Sequence, residues 1–177
     1  FFYFFLYILM LRINDLSQLN WADYIQAYYF VIWGQAQAEP LALTQHLMQQ
    51  RHQLKPFKVF LGISNYGTCQ VEHTDQIRFS SYCGAGSNRL LAKAQCLDII
   101  PSHYSTFAQK LRPDVVLIHV SKPNESGQYS FGLGQDYVAD LISSARVVIA
   151  EVNQQLPWTH SAAYLTVDHF DVIVETD

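Results

Sequence analysis

The stretch DVVLIHVSKPNESGQYSFGLGQDYVADLISSARVVIAEVNQQLPWTH, Asp114 to His160, decides how this chain folds. It opens with Asp114 to Val120, a run apolar enough to be a strand buried on both faces. A long loop with three glycines follows, and then a helical pattern from Asp136 to Ser144. A second apolar run, Arg146 to Val152, leads through Glu151 into Asn153, two glutamines and Pro157. Two buried strands joined by a crossover of this length form a parallel strand–helix–strand unit.

Working outward, the same alternation recurs. Leu16 to Ala27 carries apolar positions at helical spacing, with Asn14 and Asp15 available as caps, and predicts a helix. Tyr29 to Trp33 is a short apolar strand ended by Gly34, and GQAQAEP is the loop behind it. Pro40 suits the first turn of a helix running to about Gln53. Lys58 to Ile63 is the next strand, residues 64–76 read as loop, and Ile77 to Tyr82 alternates as a strand does. CGAGSN turns into a short helix over Arg89 to Gln95. Leu97 to Ile100 is a strand closed by Pro101, and His103 to Leu111 is helical up to Pro113. Tyr164 to Val167 and Asp171 to Val174 read as two last strands. The expectation is a single α/β domain built on an open, mostly parallel sheet with helices on both faces.

Bulk properties narrow the function. The 177 residues suffice for one domain with a sizeable core. Net charge is −4 and the basic residues are scattered, which gives no footprint for nucleic acid. Cys69, Cys83 and Cys96 are odd in number and form no CxxC pair, so neither a disulfide framework nor a zinc site is expected. A reducing, cytoplasmic setting fits that usage. The chain opens FFYFFLYILML, which is shorter than the roughly 20 residues that span a bilayer. It also lacks the basic region and small-residue cleavage site of a signal peptide. Residues 1–15 are read as an apolar leader, non-native or truncated, with a buried first strand or helix as the next reading and a membrane anchor as the last. The chain reads as cut at both ends.

Several residues invite chemistry. Ligands of open α/β sheets bind beyond the carboxyl ends of strands. Three long loops sit there: GQAQAEP after Trp33, SKPNESGQYSFG after Val120 and EVNQQLPWTH after Ala150. Glu151 at a strand end is placed like a nucleophile or general base. The plainer reading is a carboxylate that caps backbone amides or pairs with an arginine. Glu39 precedes Pro40 and reads as a helix-cap residue, and Glu125 is a similar loop carboxylate. His119 lies within a buried strand and reads as a satisfied core histidine. The seven histidines show no ligand spacing, so no metal is expected. GAGSNR and GLGQDY both lack the GxGxxG pattern, and neither GxxxxGK[ST] nor GxSxG occurs.

The 114–160 stretch resembles the acetyl-CoA hydrolase/transferase family, which includes 4-hydroxybutyrate CoA-transferases and succinyl-CoA:acetate CoA-transferases. The family's DVALIxVSPPDExGYxSLG is met by Asp114, Val115, Leu117, Ile118, Val120, Ser121, Pro123, Glu125, Gly127, Tyr129, Ser130 and Gly132. Its VDY-like helix start is met by Asp136 and Tyr137, and its AKxVIAEVNxxMPxTxG by Ala145, Val148 to Asn153, Pro157 and Thr159. GQAQAEPLALTQHL is similar to its G…GEPxxLxxxL segment, and CGAGSNRLLAKAQCLDIIPSHYS to a further one. The likeness runs from about Leu16 to the end. Lys122, Asn124, Ala38 and His160 to Ala162 depart from the pattern.

The resemblance implies a CoA-transferase-type (NagB-like) fold, with residues 16–177 as the N-terminal of two α/β domains. It implies an acyl-CoA and a small carboxylic acid as substrates, coenzyme A serving as substrate and no separate cofactor. The nucleophilic glutamate is then expected in the absent C-terminal domain, which leaves Glu151 a positioning role. The pocket residues that follow are Gly34, Gln35, Glu39, Pro40, Gly132, Asn153, Gln154 and Pro157. The C-terminal domain of the same parent is the expected partner, and a homo-oligomer stays open. A degenerate half that binds ligand without catalysis is the alternative.

Overall fold

The computed structural model describes residues 10–161 and 164–177. Its elements, in chain order, are β1 (Leu11–Ile13), β2 (Phe30–Trp33), α1 (Leu41–Gln50), β3 (Phe57–Leu61), β4 (Ile77–Ser81), α2 (Arg89–Lys93), β5 (Leu97–Ile99), α3 (Phe107–Lys110), β6 (Val115–Ser121), α4 (Val138–Leu141), β7 (Val147–Asn153) and β8 (Val172–Thr176). The strands form one eight-stranded sheet in the order β1-β8-β7-β6-β2-β3-β4-β5. Every pairing in it is parallel.

The long apolar runs become the centre of this sheet. In β6, Val115 to Ile118 and Val120 are all buried. Alternate residues serve opposite faces. Val31, Val59, Phe79 and Leu117 join Leu43, Leu47 and Met48 of α1 and Leu91 of α2 in one core layer. Ile32, Phe60, Val116 and Ile118 join Phe107 of α3 and Val138 and Leu141 of α4 in the other. Helices on both faces of a parallel sheet match the expectation.

The order of strands creates a switch point. From β2 the chain winds to β3, β4 and β5. It then returns to β6 on the other side of β2 and winds away through β7 and β8. The connections leaving β2 and β6 therefore turn to opposite faces, and it is outside such a point that open α/β sheets bind ligands.

Several local expectations are corrected. Leu16 to Ala27 is not a helix but two single 3₁₀ turns, Leu16–Gln18 and Trp21–Asp23. Asp15 accepts from Ser17 N at 2.9 Å and Asn20 from Ala22 N at 3.3 Å, so side chains satisfy backbone donors that a helix would use. Leu19 and Asn20 are extended between the turns. Tyr164 to Val167 is not a strand. Leu165 makes one bridge to Tyr129, and a 3₁₀ turn follows at Val167–His169, capped reciprocally by Thr166 and His169. The helices expected to reach Gln53 and Ser144 end as 3₁₀ turns, and the one expected from His103 begins as one. At the other end of the chain, Leu11–Ile13 of the predicted leader pairs with β8, and Ile13 is buried. Residues 1–9 of the leader lie outside the described residues. Among those described, no helix is long and apolar enough to cross a membrane.

Phe60 carries much of the second core layer. It is fully buried, and its ring meets Phe107 and Tyr137 edge-on with centroids 5.5 and 5.6 Å away. Replacing it with alanine is expected to cost about 3–5 kcal/mol through lost burial and the cavity left behind. Denaturant melts of Phe60→Ala against the parent check this, and a loss under about 1 kcal/mol would contradict it.

Candidate functional site at the carboxyl ends of the central strands

The three loops singled out in the sequence meet at the switch point. The loop after β2 doubles back sharply. A Cβ on Gly34 would lie 2.6 Å from Ala38 O, so only glycine fits. Next to it, the Gln35 N–H donates to Asp136 Oδ2 at 2.7 Å, tying this loop to the one after β6. Asp136 Oδ1 accepts from Tyr137 N at 2.8 Å, and Tyr137 OH donates to the Trp33 carbonyl at 2.8 Å. Both hinge positions are left-handed, Ala36 at φ 48 and Asp136 at φ 54.

The loops after β6 and β7 are stitched in turn. Ser130 Oγ accepts from Thr159 N at 3.1 Å and from Gly132 N at 3.1 Å, while Thr159 Oγ1 donates to Gly132 O at 2.8 Å. Gly132 has φ 61, and a Cβ there would run into Leu156. One hydrogen-bonded wall therefore runs from Gln35 to Thr159.

Above β2 the Gln35 amide is held by tyrosines. Its Oε1 accepts from Tyr82 OH at 2.7 Å and from Ile63 N at 3.2 Å, and its Nε2 reaches Tyr104 OH at 3.4 Å. Tyr82, Tyr104, Phe107 and Tyr137 pack ring to ring beneath it. Burial pushes the Tyr82 hydroxyl up to about 12, so it stays a donor.

The two glutamates lie at the start of α1. Glu151 is only 3% exposed and accepts from Leu43 N at 3.0 Å in the first turn of that helix. Thr176 Oγ1 donates to its other oxygen at 3.4 Å. The plainer reading of Glu151 is thus the one realised, a carboxyl that caps a helix. Burial raises it from 4.5 to about 7, against the pull of the backbone N–H groups, with the neighbouring Glu39 adding to the rise. A helix N-terminus returns at most about 2 kcal/mol to an anion, whereas desolvating a carboxylate costs several. Glu39 is also buried. Its two oxygens accept from Thr44 Oγ1 at 3.0 Å and from Ser64 Oγ at 3.3 Å, and burial raises it as well. Pro40 stands at the cap position of α1, and its carbonyl accepts from Thr44 N at 2.9 Å.

Other predicted residues fall further out. Asn153 spends its Oδ1 on Gln155 N at 2.7 Å, and Pro157 is exposed on the same turn. Gln154 lines a separate polar recess of 390 Å³ with Asn14, Glu175 and Thr176. Glu125 is exposed at the tip of a turn closed by Asn124. The expectation of a satisfied His119 is corrected. Neither buried ring nitrogen makes a well-formed hydrogen bond among the described residues, although the Gln37 backbone lies close enough to act on the ring, and burial lowers its pKa. Its strand position sets it beside Glu151, with which it pairs in register. Asp136, Tyr82, Tyr104 and the Ser130–Thr159 pair were not singled out as site residues. Asp136, Ser130 and Thr159 do stand in the family pattern, and that is their one signal in the sequence. Among the described residues no group of side chains could hold a metal ion, and all three cysteines are free.

This is a doubly wound α/β domain with its switch point between β2 and β6. The chain belongs to the family described as acetyl-CoA hydrolase/transferase N-terminal domain, which it matches over residues 16–177. It is 29% identical over 160 residues to the 4-hydroxybutyrate coenzyme A transferase of Clostridium kluyveri, covering 85% of this chain and 37% of that protein. Among solved structures it is similar to RipA from Yersinia pestis, with a TM-score of 0.79 and 24% identity over 88% of this chain and 40% of the other. A 4-hydroxybutyrate CoA-transferase from Porphyromonas gingivalis gives a TM-score of 0.63 and 25% identity over 88% and 37%. The chain therefore spans about two fifths of the length of these relatives.

Glu151 generates a pH test. Its carboxyl titrates near 4.5 when unfolded and near 7 when folded, so the folded state holds the extra proton between those values. Stability contributed by this group is full below about pH 4.5, falls by up to about 3 kcal/mol as pH rises to 7, and then levels. Glu151→Gln keeps an acceptor for Leu43 N and cannot ionise. It should flatten this slope and be the more stable protein at pH 8, whereas Glu151→Ala should lose about 1–2 kcal/mol through the missing cap. Urea melts at pH 5 and pH 8 read both effects. An unchanged slope in Glu151→Gln would remove Glu151 as its source.

Proposed function

We propose that this chain is the N-terminal half of an acyl-CoA:carboxylate CoA-transferase or acetyl-CoA hydrolase, whose nucleophilic glutamate lies beyond residue 177. What supports the reading, besides family membership, is how the carboxylates of the wall are spent. Glu151 and Glu39 are buried and bound to the first turn of α1 and its neighbours. The wall offers shape and hydrogen-bond donors, and the nucleophile comes from elsewhere.

In this reading a glutamate oxygen adds to the thioester carbonyl carbon and the carbon–sulfur bond breaks, which releases CoA thiolate and leaves an acyl-glutamyl anhydride. The thiolate then adds to the glutamyl carbonyl, expelling the acyl group as its carboxylate and giving a glutamyl-CoA thioester. An incoming carboxylate reverses the sequence, or water hydrolyses the thioester. Gly34, Gln35 and Gly132 line the acyl side of the pocket, with the Asn153–Pro157 turn at its rim. The remaining part of the parent closes over this edge. The exposed Tyr66, Tyr104 and Leu133, all on loops after strands, are its contact points.

Mass spectrometry of the protein from its complete coding sequence, quenched during turnover with acetyl-CoA and succinate, should find the CoA adduct on a glutamate beyond residue 177. An adduct on Glu39 or Glu151 would overturn the assignment. Residues 1–177 alone should turn over at least about 10³-fold more slowly, the scale on which losing a covalent nucleophile is felt.

A further inference from the structure

A groove of 410 Å³ runs across the sheet on the α3 side, lined by Tyr28, Lys58, Arg78, Ser80, Asp98 and Arg112, among others. Its cations Lys58 and Arg112 lie at the amino ends of β3 and β6, and Ser80 and Ile100 carry it up to the carboxyl ends of β4 and β5. Its size falls within the range of small-molecule sites.

Its charges do not cancel. Three cations line it, Lys58, Arg78 and Arg112, and two carboxylates, Asp98 and Asp114. Both carboxylates are committed. Asp98 Oδ2 takes Arg78 Nε at 2.7 Å, leaving the other guanidinium nitrogens of Arg78 open to the groove. Asp114 takes Arg146 Nε at 2.9 Å and the Phe30 N–H at 2.9 Å. Lys58 and Arg112 have no acidic partner among the described residues. Arg112 is nonetheless fixed in place, its Nη1 donating to the Ala108 and Leu111 carbonyls at 2.9 Å each. In a chain of net charge −4, this is a local excess of positive charge.

At the mouth stands Tyr28, 71% exposed and at φ 65. A bulky residue with positive φ is an outlier that the surrounding structure must impose. Here the Tyr28 N–H donates to Pro56 O at 2.7 Å, and the Tyr29 carbonyl takes Lys58 N at 2.8 Å. The strained backbone therefore holds an aromatic ring at the rim of a cationic groove while β3 positions Lys58 beside it.

We propose that this groove binds a small anion that carries an aromatic ring, of the nucleotide class, at a site separate from the acyl-transfer crevice. The phosphate lies between Lys58 and Arg112 with Arg78 behind, and the base stacks on Tyr28. The inference does not rest on the acyl-CoA reading, and its failure leaves that reading untouched.

The test is calorimetric titration of ADP, adenosine and inorganic phosphate into the protein from its complete coding sequence. ADP should bind, with each half alone at least tenfold weaker. Lys58→Glu and Arg112→Glu, both at exposed positions, should each weaken ADP at least tenfold, and Tyr28→Ala several-fold, with melting temperatures held near the parent's. Raising the salt should weaken ADP, since the cations are open to solvent. Absence of ADP binding at millimolar concentration, binding indifferent to the two charge reversals, or phosphate binding as tightly as ADP would each overturn the proposal. KM for acetyl-CoA should stay unchanged in Lys58→Glu. A parallel rise there would make the groove a part of the CoA site and overturn its separateness.

Discussion

The hydrogen bond from the Gln35 N–H to Asp136 Oδ2 ties the loop after β2 to the loop after β6. β2 and β6 are neighbours, yet their chains leave for opposite faces of the sheet, and nothing in the sheet itself joins them beyond Trp33 and Leu117. The bond comes with two left-handed residues, Ala36 and Asp136, each costing of order 1–3 kcal/mol. A charge-assisted bond contributes about 1.5–3 kcal/mol, so the latch alone does not offset its strain. The rest comes from the aromatic packing that surrounds it, Tyr137 against Phe60 and Phe107 and Tyr82 against Phe107. The geometry of the loops is therefore set by core burial and only expressed through hydrogen bonds.

The start of α1 shows the same dependence. It is the longest helix of the described chain, and its entry has no side-chain cap from its own sequence. Pro40 pre-sets the backbone there and supplies no donor. The missing acceptor is provided across the core by Glu151 on β7, so the helix is tied to the sheet at the edge where the loops meet. Burial keeps that carboxyl partly protonated near neutral pH, which limits the repulsion from Glu39.

The sheet was legible because its strands are written as apolar runs. Val115 to Ser121 and Val147 to Asn153 fall within a residue or so of the expected spans. The helices were less so. Asp15, Asn20 and Asp23 lie beside and among the apolar positions of Leu16 to Ala27, and their local side-chain hydrogen bonds won over a periodicity that counted apolar residues only. Site loops could be found from their length and place after strands. The contacts within them could not, because a bond such as Gln35 to Asp136 links residues 101 apart through a backbone conformation no side chain announces. His119 failed for a related reason. Its strand position was right, but whether a ring nitrogen finds a partner depends on the loop folded over it.

Glu151 shows why position alone misleads about chemistry. A strand-end carboxylate is a sound candidate only if it is charged and can reach a thioester. Here one oxygen is taken by the first turn of α1 and the other by Thr176, in a site almost closed to solvent. To attack a substrate it would have to leave the helix uncapped and carry a full charge that burial opposes. The same arrangement makes it valuable as structure. It anchors α1, and α1 carries the loop of Gln35 into place beside Asp136. A residue cannot easily be both the pin of the wall and the nucleophile that moves against it, and this supports a division in which the present chain holds the shape and another carboxylate performs the transfer.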